Sequence, residues 1–111
     1  FLSANLAPSK GKTLEAIVMQ ELKRRNTDTY YFKEKNECDF VAKNGANIEA
    51  IQATYELNQK NKEREIKGLM EAMKKTKAKK GTIITLDQEQ EMQIEGKKIA
   101  IKPLWKWLLE E

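Results

Sequence analysis

Three residues of types that hold metal ions or activate water stand inside segments that are otherwise apolar. Glu15 lies in the first turn of a predicted helix, Asp39 interrupts a short apolar run, and Gln52 shares one face of a predicted strand with Thr54. A carboxylate on a central strand, another on the neighbouring strand and a third on a helix packed beside them could hold Mg²⁺ and orient a water for in-line attack on a phosphodiester. The simpler alternative is that Asp39 faces solvent on a half-exposed strand and Glu15 only favours the helix N-terminus.

Composition excludes several other kinds of site. The 111 residues fit one domain with a formal net charge of +4. The absence of histidine excludes the common zinc sites and the Ser/His or Cys/His catalytic pairs, and the single cysteine, Cys38, permits no internal disulfide. No apolar stretch approaches the ~18 to 20 residues of a membrane span, and the beginning of the sequence lacks the basic flank and apolar run of a signal peptide. We therefore expect a cytoplasmic domain without membrane partners, and the opening Phe1 suggests a piece of a longer protein.

The elements that must position these residues can be predicted from periodicity. We expect an irregular lead-in over residues 1–11, from a preceding domain, and the fold proper over 12–111. Apolar residues recur at helical spacing from Leu14 to Leu22 and again from Ile66 to Met73. Strands are expected at 30–33, 38–42 and 48–55, with Asn44-Gly45 as the turn of a hairpin. A continuous apolar strand over 82–86, a hairpin around Glu95-Gly96 and a short helix over 103–109 complete the chain.

Two further patterns suggest phosphate binding. Ser9-Lys10-Gly11-Lys12-Thr13 resembles the end of a phosphate-binding P-loop, but no apolar strand leads into it and Pro8 removes a backbone donor. We interpret it instead as a helix N-terminus. The second pattern is a lysine run with five positive charges in seven residues, and such a patch attracts phosphate backbones without reading sequence. Its alternative is a solvated helix end that suits the dipole. The run comprises Lys74, Lys75, Lys77, Lys79 and Lys80.

The order of elements and the acidic residues together resemble the PD-(D/E)xK nuclease superfamily. That superfamily has a restriction-endonuclease-like α/β core of helix, three-stranded antiparallel meander, helix and parallel fourth strand, to which this chain adds a small C-terminal hairpin and short helix. Its motif is a helical Glu, an Asp early in the second strand and (Asp/Glu)-x-Lys in the third. Glu15 and Asp39 resemble the first two. The third is broken, because Gln52-Ala53-Thr54 stands where Glu-x-Lys is expected.

Within the superfamily the closer likeness is to the C-terminal domain of predicted bacterial and archaeal AAA-type ATPases of largely unknown function. The phrases that carry it include Ile51-Gln52-Ala53-Thr54-Tyr55 and Pro103-Leu104-Trp105-Lys106-Trp107. The resemblance implies an ATPase domain N-terminal to this one, so ATP hydrolysis would not belong to this chain. The amide of Gln52 replaces an anionic metal ligand, and the hydroxyl of Thr54 replaces the cation that would stabilise the transition state.

The leading hypothesis is therefore a catalytically degenerate nuclease-fold accessory domain of an AAA-type ATPase, which needs no cofactor and binds DNA through the lysine run. Glu15, Asp39, Gln52 and Thr54 would form its vestigial site. A second hypothesis is an active Mg²⁺-dependent DNA endonuclease in which Glu15 and Asp39 bind the metal and Glu63 or Glu65 supplies the relocated carboxylate. A third is a protein-interaction module using the segment of Trp105 and Trp107 or an open sheet edge, although tryptophans near a chain end more often close a core.

Overall fold

A computed structural model describes residues 3–110 of the chain, with side chains described over residues 10–110. The chain forms three helices and six strands within that range. In chain order they are α1 (Ser3–Arg24), β1 (Asp28–Lys33), β2 (Glu37–Asn44), β3 (Asn47–Ala53), α2 (Lys62–Thr76), β4 (Lys80–Thr85), β5 (Gln90–Ile94), β6 (Lys97–Pro103) and α3 (Leu104–Leu109).

All six strands belong to one mixed sheet with the order β1-β2-β3-β4-β6-β5. The first three form an antiparallel meander, β4 is parallel to β3 after the α2 crossover, and β6 is parallel to β4. The predicted α/β fold, with its helix, meander, helix and parallel fourth strand, is therefore confirmed. The C-terminal hairpin of β5 and β6 extends the same sheet, because β6 pairs directly with β4.

Helices cover the sheet on both faces, which explains why its central strands are apolar on both sides. On one face α2 contributes Leu69, Ala72 and Met73 to a cluster with side chains of all the strands. On the other face Leu14, Val18 and Leu22 of α1 pack with Trp107 of α3. Their spacing of four residues places these three side chains on one stripe of α1. The layers hold α1 and α2 in fixed positions relative to the strands.

The predicted irregular lead-in is wrong for residues 3–11, which belong to α1. Ala4, Leu6 and Ala7 favour helix intrinsically, and α1 continues through Pro8 and Gly11, although both residue types are unfavourable inside a helix. The P-loop-like string 9–13 consequently lies inside the helix and is neither a phosphate-binding loop nor a helix N-terminus. Residues 1 and 2 lie outside the described range, and the proposed domain boundary stays a prediction.

Both predicted hairpins form, but the first turn lies one residue later than expected. Asn44 and Asn47 are the last paired residues of β2 and β3, so Gly45 and Ala46 form the turn. Only Gly45 has positive φ, at 65°, which is the pattern of a II′ turn with glycine first. In the second turn Glu95 and Gly96 both have positive φ, as a I′ turn requires.

No helix within residues 3–110 is long and apolar enough to cross a membrane.

Candidate functional site

The four residues predicted from the broken nuclease motif line one pocket of about 510 Å³. It lies where β3 ends, between the start of β2, the start of α2 and the middle of α1. We call it the acidic pocket, because four carboxylates and only two cations line it. The carboxylates are Glu15, Glu37, Asp39 and Glu65, the cations are Lys35 and Arg64, and Gln52 and Thr54 complete the predicted set.

Asp39 lies at an irregularity of β2. Tyr30 pairs with Val41 and Phe32 with Cys38, so β2 has one more residue than β1 between the two pairs. An extra residue of this kind is a β-bulge, and it re-aims the side chains around it. Asp39 is half-buried, and its Oδ2 accepts a hydrogen bond of 2.8 Å from the backbone N–H of Ala53. One carboxylate oxygen thus supplies the hydrogen-bond acceptor for a backbone N–H at the point where β2 and β3 stop pairing.

Gln52 uses both halves of its amide in structural hydrogen bonds. Its Oε1 accepts a bond of 2.9 Å from the backbone N–H of Asp39. Its Nε2 donates to the backbone carbonyls of Glu37, at 2.9 Å, and Glu65, at 3.0 Å. The side chain is only 2% exposed, so it joins β2, β3 and the start of α2 in a buried network. A carboxylate at this position could not donate either of the two Nε2 bonds.

Gly68 allows α2 to approach this network closely. A Cβ at this position would lie 1.8 Å from the carbonyl oxygen of Glu37 and 2.7 Å from Nε2 of Gln52. No real side chain fits in that space. A lone glycine inside an amphipathic helix is the signal that could have revealed this contact from sequence.

Thr54 lies at the rim of the acidic pocket and contacts the loop before α2. Its hydroxyl accepts a bond of 3.3 Å from Nδ2 of Asn61, and its backbone N–H donates to the carbonyl of Ile84. It has no charge with which to stabilise an anionic transition state.

Burial and mutual repulsion raise the pKa of three carboxyl groups in the pocket. Desolvation is the larger cause for Glu15 and Glu65, followed by the charge of Asp39. The pKa of Asp39 is raised by its own desolvation and by Glu37, while the bond from Ala53 and the charge of Arg64 oppose the rise. The three acids therefore influence one another electrostatically, as groups in one site do.

These acids are nevertheless not arranged to fit a metal ion. Within the described residues no three histidine, cysteine or acidic side chains are grouped so that they could hold one. The residue types agree with this. Gln52 stands where the motif has its third carboxylate, and its neutral amide is already used in hydrogen bonds to the backbone. Of the two relocated carboxylates considered, Glu65 lies in the pocket, whereas Glu63 is exposed and pairs with Lys67.

The lysine run lies at the other end of the sheet. Lys77, Lys79 and Lys80 follow α2 and lead into β4. They line a second pocket of about 640 Å³ with Arg24, the last residue of α1, and Arg25, which follows it. We call this the basic groove. Its acidic lining residues are Glu49 and Glu110. Lys74 and Lys75 do not line it, and Lys75 pairs with Glu34 instead.

Comparison with known proteins assigns the chain to a family. Residues 10–107 match the family described as Domain of unknown function (DUF4143). The chain belongs to this family. It is also 42% identical over 118 aligned positions to an uncharacterized protein of Methanocaldococcus jannaschii. That alignment covers 96% of this chain but 26% of the relative, so the chain spans about a quarter of the relative's length.

The two tryptophans of this DUF4143 chain have different environments. Trp107 is 1% exposed and closes the core between α1 and the sheet, as tryptophans near a chain end commonly do. The guanidinium of Arg25 lies 4.5 Å from the Trp107 ring and donates to the backbone carbonyls of Trp107 and Glu110, at 2.8 and 2.7 Å. It thereby fixes the end of α3. Trp105 is 59% exposed.

Proposed function

We propose that this DUF4143 domain is a catalytically silent nuclease-fold module that binds nucleic acid through the lysine-rich end of α2. The observation that carries the silent part is the bonding of Gln52, whose amide is fully used in joining β2, β3 and α2. The observation that supports binding is that Lys77, Lys79 and Lys80 line a groove with two arginines.

Loss of catalysis is expected because two charged residues of the superfamily motif, the third carboxylate and the lysine, are absent at their positions. The neutral amide of Gln52 cannot replace an anionic metal ligand. Thr54 stands at the position of the motif lysine and has no positive charge with which to replace it. Removal of one electrostatic donor from an active site already raises a barrier by about 2.7 to 4 kcal/mol. Oδ2 of Asp39 already accepts a hydrogen bond from the backbone N–H of Ala53, which leaves fewer oxygens for a metal ion.

A salt-dependent binding assay tests the nucleic-acid part. We expect the chain to shift a labelled duplex at low salt and to release it as salt rises, because bound lysines displace condensed counterions. Absence of binding by micromolar protein at low salt would remove this part of the proposal.

A cleavage assay tests the silent part against an active nuclease. The observation in favour of activity is that Glu65 shares the acidic pocket with Glu15 and Asp39. We expect no cutting of plasmid or branched DNA with either Mg²⁺ or Mn²⁺. Cutting that disappears in both Asp39→Ala and Glu65→Gln would instead establish a nuclease with a relocated carboxylate.

We further propose that the domain serves an AAA-type ATPase as its accessory module. The resemblance noted from the sequence supports this, and the matched relative is about four times as long as the aligned region. Trp105 and Leu109 of α3 are 59% and 76% exposed and offer an apolar contact to the ATPase body. In a protein containing both parts, we expect the ATPase part to protect Trp105 fluorescence from a soluble quencher, and Leu109→Ser to reduce that protection. Equal quenching in the presence and absence of the ATPase part would contradict this contact.

A further inference from the structure

We propose that the backbone of duplex nucleic acid lies in the basic groove, at the end of the sheet opposite the acidic pocket. This inference rests on the proposed function and specifies where, and in which form, nucleic acid binds. β3 begins at the groove and ends at the pocket, and its seven residues separate them by about 20 Å at the usual rise of a strand. A nuclease-fold domain whose acids no longer act would thus bind at a different surface.

The first support is the balance of paired and unpaired charge in the groove. Its two carboxylates are occupied, since Glu49 accepts a bond of 2.7 Å from Thr82 and Glu110 pairs with Lys102 at 2.9 Å. The arginines are occupied too, because both pair with Glu21 at 2.7 Å. Within the described residues Lys77, Lys79 and Lys80 form no ion pair, so their charge is available to phosphates.

The second support is the backbone of Lys77. It caps α2 in the left-handed conformation, with φ at 61°, a position where glycine is usually favoured. A residue with a Cβ costs about 1 kcal/mol or more there. The backbone N–H of Lys77 ends α2 by donating to the carbonyl of Met73, which glycine would do at lower cost, so the charged side chain at the groove points to a role outside folding.

The third support concerns the form of the ligand. Single-strand binders stack bases on exposed aromatic rings. The aromatic residue of the groove, Trp107, is 1% exposed beneath Arg25, so the described lining offers no stacking face. The exposed polar residues of the described lining that form no ion pair come from two separate connections. They are Asn44 and Asn47 at the hairpin turn and the lysines after α2. Such groups contact phosphate oxygens and read no base.

The experiment compares matched double variants by fluorescence anisotropy on a labelled duplex and on the single strand of the same sequence. K79Q/K80Q removes two groove charges, and K74Q/K75Q removes two charges of the same run outside the groove. K60Q/K62Q is the control near the opposite end of α2. We expect K79Q/K80Q to weaken duplex binding about tenfold or more and to lower the salt slope by nearly 2, since each phosphate contact contributes about 0.9.

The other variants separate this inference from the proposed function. K74Q/K75Q should weaken duplex binding by less than a third of the factor expected for K79Q/K80Q. K60Q/K62Q should bind the duplex nearly as tightly as the original chain. Lys77→Gly should weaken binding while raising the unfolding midpoint in urea, a combination that loss of structure cannot produce. Tighter binding to the single strand, or a larger loss in K74Q/K75Q than in K79Q/K80Q, would overturn the groove while leaving nucleic-acid binding intact. No binding by the original chain would overturn both.

Discussion

At the carboxyl end of β3 the ionisable side chains are mostly acidic and share in the hydrogen bonding of the fold, whereas at its amino end they are mostly basic. Asp39 completes the pairing of β2 with β3, and beside it Gln52 joins β2, β3 and the start of α2. Within the described residues, the side chains of Lys77, Lys79 and Lys80 form no ion pair. The comparison indicates that the polar side chains of the acidic pocket stabilise the fold, whereas the lysine side chains at the other end are not needed for it.

The largest expected effect is that of closing the space beneath α2 at the acidic pocket. Gly68→Ala would place a Cβ 1.8 Å from the carbonyl of Glu37, so α2 must move and the Gln52 bonds must break. We expect a loss of about 3 kcal/mol or more in the free energy of unfolding, measured by urea denaturation.

Gly11→Ala is the matched control, since nothing lies within 4 Å of a Cβ at that helical position. It should stabilise the chain by up to about 1 kcal/mol. Equal stability of the Gly68→Ala variant and the original chain would show that α2 does not depend on this close approach.

The next largest change is to place a carboxylate at position 52, where the motif that the sequence resembles has one. Gln52→Glu loses the two Nε2 donors and adds a buried negative charge beside Asp39, so we expect a loss of about 2 to 4 kcal/mol at neutral pH. The loss should shrink in acid, where the new carboxyl is protonated. Gln93→Glu on exposed β5 is the control and should change stability by less than about 0.5 kcal/mol. A Gln52→Glu variant of unchanged stability would mean that the amide is not needed for folding.

Local patterns predicted the strands, α2 and the second half of α1, whereas the convergence of the acidic residues was expected from the resemblance to the superfamily motif. Periodicity predicted α2 and the strands, and the superfamily motif led us to expect Glu15 and Asp39 in one site. The extra residue in β2 and the close contact at Gly68 could not be predicted, since each depends on how a distant element packs.

The lysine run illustrates a different limit of sequence reasoning. Its five members are adjacent in the chain, but α2 ends between Lys75 and Lys77, so they point to different surroundings. Likewise, the contribution of Arg24 and Arg25 to the groove depends on where α1 crosses the sheet. The basic last turn of α1 was visible in the sequence, but its partner surface was not.

At the basic end, one arginine should matter much more to folding than its neighbour. Arg25 is bonded to Glu21 and to two carbonyls of α3, and it lies over the ring of Trp107. Arg25→Lys loses the planar fork and should lower the free energy of unfolding by about 2 kcal/mol. Arg24→Lys, which pairs with the same Glu21 at an exposed position, should lower it by less than about 0.5 kcal/mol. Equal losses in urea denaturation would contradict the assigned role of Arg25.

The smallest expected effect is an opposite response of the two ends to acid. Desolvation, with repulsion among the acids, raises the pKa of Asp39 and Glu65, so the fold takes up these protons more readily than the unfolded chain. Their destabilisation is present at neutral pH and is relieved as pH falls. Hydrogen bonds from Arg24 and Arg25 lower the pKa of Glu21 to about 2, so its stabilisation is present above the ordinary value and is lost as pH falls toward 2.

Two isosteric substitutions separate these contributions. Asp39→Asn keeps an oxygen for the N–H of Ala53 but removes the charge, so it should raise the free energy of unfolding at pH 7 by less than about 1 kcal/mol. The gain should fade as pH falls through the ordinary pKa of an aspartate, about 3.9, because below it the original carboxyl is protonated in both states. Glu21→Gln should instead destabilise the chain at pH 7 and converge with it only in stronger acid. Urea denaturation across this pH range measures both. A loss of stability in Asp39→Asn at neutral pH would mean that folding depends on the negative charge itself, because the substitution leaves the acceptor oxygen in place.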